Sequence, residues 1–150
     1  MQANTLNLAL VAHSARNVLE AYSSASTDIM FNGFPRGACG ATSDLIGRYL
    51  NEAYQLKAQL VSGRRVDGAI HIWLSVCGII VDITADQFGK SAVIVTRNSD
   101  WHGAWETGEG EPPDVHQNDW PCYLAPAWNA MVAGLVNAKF RPPASSIATA

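Results

Sequence analysis

Two β-rich runs, residues 70–76 and 79–84, are separated only by Cys77 and Gly78. So short a connection restricts the chain to a tight hairpin and decides which residues face each other. With a two-residue turn, Val76 opposes Ile79, Trp73 opposes Asp82 and His71 opposes Thr84. Side chains alternate across a strand. One face of the hairpin then carries Ile72, Leu74, Val76, Ile79, Val81 and Ile83, an apolar set suited to a core. The other carries His71, Trp73, Ser75, Ile80, Asp82 and Thr84. On that face His71 and Asp82 are diagonal neighbours within reach of long side chains. A slip of one residue in the turn would undo the pairing.

The stretch Phe34-Pro35-Arg36-Gly37-Ala38-Cys39-Gly40 is the second constraint. Pro35 favours an extended or turn backbone, while Gly37 and Gly40 permit sharp turns and close approach. Thr42, Ser43 and Asp44 supply helix-start chemistry, and Leu45, Ile46, Tyr49, Leu50 and Ala53 follow at helical spacing, so a helix is expected over 41–54. Cys39 falls at its N-terminus, where unpaired N–H groups and the helix dipole favour thiolate over thiol. A cysteine at a loop–helix junction is more often a small buried residue without chemistry. Here the glycines, the helix start and the His71–Asp82 pair together point to a nucleophile.

Residues 6–22 read as an amphipathic helix with a stripe of Leu8, Val11, Ala15, Val18, Leu19 and Tyr22. His13, Arg16 and Glu20 within it, and the lack of a cleavage-site pattern, set it apart from a signal peptide. A polar cluster at 23–28 ends it, and 29–34 is ambiguous. A first strand is expected over 56–61, a polar loop over 62–68, a fourth strand over 92–96 and a last helix over 126–140. Residues 98–118, rich in Gly, Pro, Trp, His and acids, read as a long loop with room for a short helix; such loops are often functional. Residues 120–123 read as a short strand or a packed loop, and 141–150 as a mobile tail. Helices, then mostly antiparallel strands, then a helix make an α+β arrangement, expected as one domain of 150 residues.

Composition narrows the function classes. The formal charge is −3 with no basic block, which gives no reason to expect a nucleic acid partner. No apolar run reaches the roughly 20 residues that cross a membrane. Cys39, Cys77 and Cys122 are an odd number without CxxC spacing, which argues against a disulfide framework or a four-cysteine zinc site and for a reducing cytoplasm.

A thiol at a helix start with a histidine and an acid on adjacent strands is the layout of a nucleophile, its general base and the group that orients the base. Histidine suits the base role because it titrates near neutrality. The order Cys39, His71-Ile72-Trp73 and Val81-Asp82-Ile83-Thr84 resembles the transglutaminase-like branch of the papain-like cysteine peptidase superfamily. The fuller text, with Phe34-Pro35-Arg36-Gly37, Cys39-Gly40, Asp86-Gln87-Phe88 and Trp101-His102, also resembles a group of small bacterial and phage-associated proteins. The likeness covers about residues 30–102. It implies a papain-like or transglutaminase-like core, with N-terminal helices packed on the sheet. It also implies Cys39 as nucleophile, His71 as base and Asp82 as third member, with no cofactor. The chemistry implied is attack on an amide or ester carbonyl through a thioester, as in a protease or a glutamine deamidase or transamidase. A protein or peptide is the substrate such chemistry implies.

Several assignments stay open in the sequence. Asp86 or Gln87 can replace Asp82 as the orienter. Papain-type enzymes often use a glutamine before the cysteine in the oxyanion hole; here Asn32 and Gly33 stand in that region, so the hole falls to the backbone at Cys39–Gly40 with Asn32 or another donor. Trp73 is expected beside the imidazole, and Trp101, His102 and Trp105 are candidates to line a cleft. Arg36 is expected to brace its loop through Asp28 or Asp44. Cys39, His71, Asp82 and His102 are permissible zinc ligands, but their spacing matches no short metal motif, and no metal is expected. The rival function is a non-catalytic protein-binding module on the same scaffold. Oligomeric state is not legible.

Overall fold

The computed structural model describes residues 5–113 and 124–137. The expectations for 120–123, for Cys122, for the end of the last helix at 138–140 and for the tail lie outside these residues.

Helix α1 runs Thr5–Ala25 and α2 runs Cys39–Tyr54. Strands β1 (Ala58–Arg64), β2 (Ile70–Val76), β3 (Ile79–Asp82) and β4 (Ile94–Thr96) follow, then a short helix α3 (Asp100–Gly103), strand β5 (Glu106–Thr107) and helix α4 (Ala125–Asn137). The five strands form one antiparallel sheet in the order β4-β3-β2-β1-β5, so the chain is α+β. Among the described residues no helix is long and apolar enough to cross a membrane.

The hairpin has the expected register: Val76 pairs with Ile79, Ser75 with Ile80 and Leu74 with Val81. Cys77 (φ 52°) and Gly78 (φ 80°) both adopt positive φ, the backbone that a two-residue turn needs to match the twist of its strands. Leu74, Val76, Ile79, Val81 and Ile83 are buried on the face that meets α1 and α2. The stripe of α1 joins them through Leu8, Val11, Ala15 and Leu19, and α4 adds Ala127, Met131 and Leu135. The opposite face is more covered than its polar residues suggest. His71, Asp82 and Thr84 are all at or below 2% exposure, because the segments after β3 and β4 fold back over them with Phe88, Trp101 and Trp105.

Several boundaries differ from expectation for local reasons. Strand β1 begins at Ala58 and pairs residue by residue with β2 as far as Arg64, so the first three residues of the expected 62–68 loop are strand. Leu56 instead closes α2: Gln55 turns left-handed (φ 56°) and the Leu56 N–H bonds to the Leu50 carbonyl. Strand β3 stops at Asp82 rather than Thr84, because the Asp82 carboxylate accepts the Thr84 N–H at 3.0 Å and turns the chain into a 3₁₀ segment, Ala85–Phe88. Helix α2 begins at Cys39, two residues early, so Thr42, Ser43 and Asp44 lie inside it; Thr42 bonds back to the Ala38 carbonyl at 2.8 Å. Arg36 is exposed and makes no ion pair among the described residues. Asp28 is taken up by the Tyr22 hydroxyl at 2.6 Å and the Met30 N–H at 3.0 Å.

Candidate active site

Cys39 is the first residue of α2, half-buried, and its helix starts without a side-chain cap. The first N–H groups of the helix are therefore not taken by a neighbouring hydroxyl or carboxylate. Burial pushes the thiol up. Against it act a hydrogen bond and charge from His71 and N–H groups of the backbone at Ile72 and Gly40, and the net result lies below the usual thiol value.

His71, the second residue of β2, is fully buried. Its Nε2 lies 2.7 Å from Asp82 Oδ2. Burial lowers the imidazole's affinity for a proton, but Asp82 and Cys39 outweigh it and His71 rises to about 9. For Asp82, burial raises the pKa while hydrogen bonds from His102, His71 and the Thr84 N–H, with the charge of His71, bring it down to about 2. An ionised carboxylate only accepts hydrogen bonds, so the proton on His71 Nε2 points at Asp82. Nδ1 is the ring nitrogen left free of the carboxylate.

Among the described residues the structure brings Cys39, His71 and Asp82 together, and it separates the alternatives for the third place. Asp86 faces away, gripping Arg16 at 2.8 and 2.7 Å. Gln87 does reach the imidazole, but its Nε2 lies 3.4 Å from Nδ1, the nitrogen on the thiol side, and not from the one that meets Asp82. Gly40 contributes its N–H, and its bare Cα leaves room for the Ile72 side chain. Asn32 is exposed and makes no hydrogen bond among the described residues.

Aromatic rings enclose the imidazole. Trp73, Phe88, Trp101 and Trp105 place their centroids 5.7, 5.1, 5.7 and 5.8 Å from that of His71. Arg65 lies over Phe88 and Trp105, at 5.1 and 4.6 Å from their centroids. Such a shell keeps water from the His71–Asp82 bond and strengthens it. Strand β1 accommodates the shell at Gly63: a Cβ there would sit 2.8 Å from Trp105 Cβ and 2.9 Å from the Trp73 ring. A groove of about 330 Å³ runs along Leu60, Ser62, Ile72, Glu109 and Glu111, and the Ile72 side chain lies against Gly40.

His102, with Trp73 and Trp105, lines a depression of about 390 Å³. His102 is 2% exposed, and its Nε2 lies 2.8 Å from the same Asp82 oxygen that His71 uses. Its Nδ1 lies 2.7 Å from Ser99 Oγ, and Ser99 caps α3 by accepting the His102 N–H at 3.2 Å. The sequence carried a signal for this link, since Ser99 precedes His102 by the spacing of a helix cap. Nothing local tied either residue to Asp82. Ligand-type atoms of His71, Asp82 and His102 lie within 4.8 Å of one another, but a cation there would have to replace both N–H···O bonds.

The chain matches no family model, no curated protein and no solved structure.

Proposed function

We propose that this protein is a thiol hydrolase or acyltransferase built on a papain-like core, with Cys39 as nucleophile, His71 as general base and Asp82 as the group that orients the base. The observation that carries this reading is the sulfur at an uncapped helix start, its thiol held below the usual value by an imidazole whose Nε2 is bound by a buried, ionised carboxylate. The three groups come from the start of α2, from β2 and from the end of β3.

The chemistry follows from the proton positions. Cys39 transfers its proton to His71 Nδ1, and the thiolate attacks an amide carbonyl carbon. The C–S bond forms as the carbonyl π pair moves to oxygen. N–H groups at the start of α2 are the nearest backbone donors for that oxyanion, and Gln87 Nε2 is a side-chain donor in the role the sequence offered to Asn32. The imidazolium then gives its proton to the leaving amine, and a thioester remains. Water or a second amine, deprotonated by His71, releases the acyl group. A protein or peptide amide lying in the groove beside Ile72 is the substrate class this arrangement accommodates.

Intact-mass analysis after treatment with electrophilic peptide and glutamine-analogue probes tests the reading. One equivalent of label is expected on the wild-type chain, retained by Cys77→Ala and Cys122→Ala and lost in Cys39→Ala. Equal labelling of all the thiols, or none at Cys39, would favour the non-catalytic binding module instead.

A further inference from the structure

The buried cluster holds one histidine more than acyl transfer through a triad requires. We propose that His102 is a positioning residue of this site: fixed by Ser99 with its proton on Nε2, it holds the Asp82 carboxylate in the orientation that serves His71. The inference rests on the acyl-transfer reading for its purpose, but the bonding it asserts stands apart from any activity.

The proton positions follow from the acceptors. Asp82 has no proton to give, so each ring nitrogen facing its Oδ2 must donate: His71 Nε2–H at 2.7 Å and His102 Nε2–H at 2.8 Å. With its proton on Nε2, the His102 ring presents Nδ1 as an acceptor. Ser99 Oγ already receives the His102 backbone N–H, which leaves its own proton free to reach Nδ1 at 2.7 Å. The two Ser99 bonds thus fix one tautomer and one ring orientation. The other carboxylate oxygen, Oδ1, accepts from the Thr84 N–H at 3.0 Å. Donors from β2, from α3 and from the turn after β3 therefore hold the carboxylate on both oxygens, and it cannot rotate away from His71 when the imidazole passes its proton between thiol and leaving group. Sharing Oδ2 between two imidazoles also limits how much negative charge His71 feels. Without His102 the full charge would fall on His71 and make it a poorer proton donor to the leaving amine.

The groups that face His71 are Cys39, Asp82 and Gln87, with His102 on the far side of the carboxylate. Arg65 and Lys90 lie one layer out, against the aromatic shell. Long-range proton–nitrogen NMR of the intact chain separates these contributions. In wild type, His102 is expected as the Nε2–H tautomer, and both ring N–H protons on Asp82 should resonate far downfield. His102→Phe keeps a ring but removes the donor: one downfield signal disappears, and the His71 titration moves upward by roughly half a unit to one unit. His102→Gln, which returns an N–H near the Nε2 position, should bring the His71 midpoint back toward wild type. Ser99→Ala should keep the proton on Nε2, which Asp82 still requires, but loosen the ring and broaden the downfield signal of His102. A wild-type spectrum with the proton of His102 on Nδ1 would overturn the proposal. So would a His71 midpoint unmoved in a folded His102→Phe, or stoichiometric uptake of Zn²⁺ that removes both downfield signals. The wild-type spectrum decides the matter even if the Phe variant does not fold. An inert Cys39 would defeat the acyl-transfer reading and leave every one of these signals unchanged.

Discussion

At the scale of single residues, the proposed site sets a thiol beside an imidazole whose Nε2 is held by a buried carboxylate. His71 is raised to about 9 while Cys39 is lowered, and both shifts favour the thiolate–imidazolium pair over thiol and neutral imidazole. Asp82→Asn removes the charge that supports the imidazolium and returns His71 toward its ordinary value. Alkylation of Cys39 by iodoacetamide at pH 7 should then slow by roughly tenfold or more, with little change at Cys77. The same groups set a pH dependence of stability. A raised histidine contributes fully below its unfolded value of 6.5, and its contribution is lost as pH climbs through about 9. Asp82 contributes above 3.8, and its contribution is lost as pH falls toward about 2. Thermal melts across pH 3–10 should therefore show a plateau between about 4 and 6.5 and a decline on the alkaline side. Asp82→Asn should flatten that alkaline decline.

At the scale of elements, the β2–β3 hairpin sets the reach of the site, since its register places Trp73 opposite Asp82 and sets His71 on the same face. Its turn is under mild strain at Cys77, a residue with a Cβ at φ 52°. Cys77→Asn, which tolerates that backbone better, should stabilise the protein by roughly 0.5 kcal/mol in urea titration without altering the labelling of Cys39. Gly63 on β1 has the opposite sensitivity. A methyl group there meets the Trp73 and Trp105 side chains below 3.0 Å, and neither can yield without opening the shell around His71. Gly63→Ala should cost about 1–3 kcal/mol and blue-shift or broaden the tryptophan fluorescence change on unfolding less sharply than wild type. A variant as stable as wild type would show that the shell has slack.

At the scale of the whole molecule, Arg16 links the first helix to the segment that follows the site. Its buried guanidinium bonds to Asp86 through both nitrogens, to Glu20, to the Ile83 carbonyl at 2.6 Å and to the Ala92 carbonyl at 3.4 Å, and lies over the Phe34 ring. One side chain from α1 thus braces the turn that follows Asp82 and reaches the loop that precedes Cys39. Arg16→Met keeps the volume but strands those acceptors. It should lower stability by about 2–3 kcal/mol in urea, while the folded fraction still labels at Cys39. Loss of labelling in a fully folded variant would mean that the brace also aligns the site.

Local chemistry alone made the helix at Cys39, the two-residue turn, the alternation of the hairpin and the α+β order legible, because periodicity and turn preference act over a few residues. It placed His71 and Asp82 on one face for the same reason. Tertiary structure decided what no local pattern encodes. Arg16 claimed Asp86 across 70 residues, Gln87 came to the thiol side of His71, and the loop carrying Trp101, His102 and Trp105 closed over the polar face of the sheet. Those choices depend on which distant groups can satisfy a buried charge. A buried carboxylate takes its partners from wherever the folded chain delivers N–H donors, irrespective of their distance along the sequence.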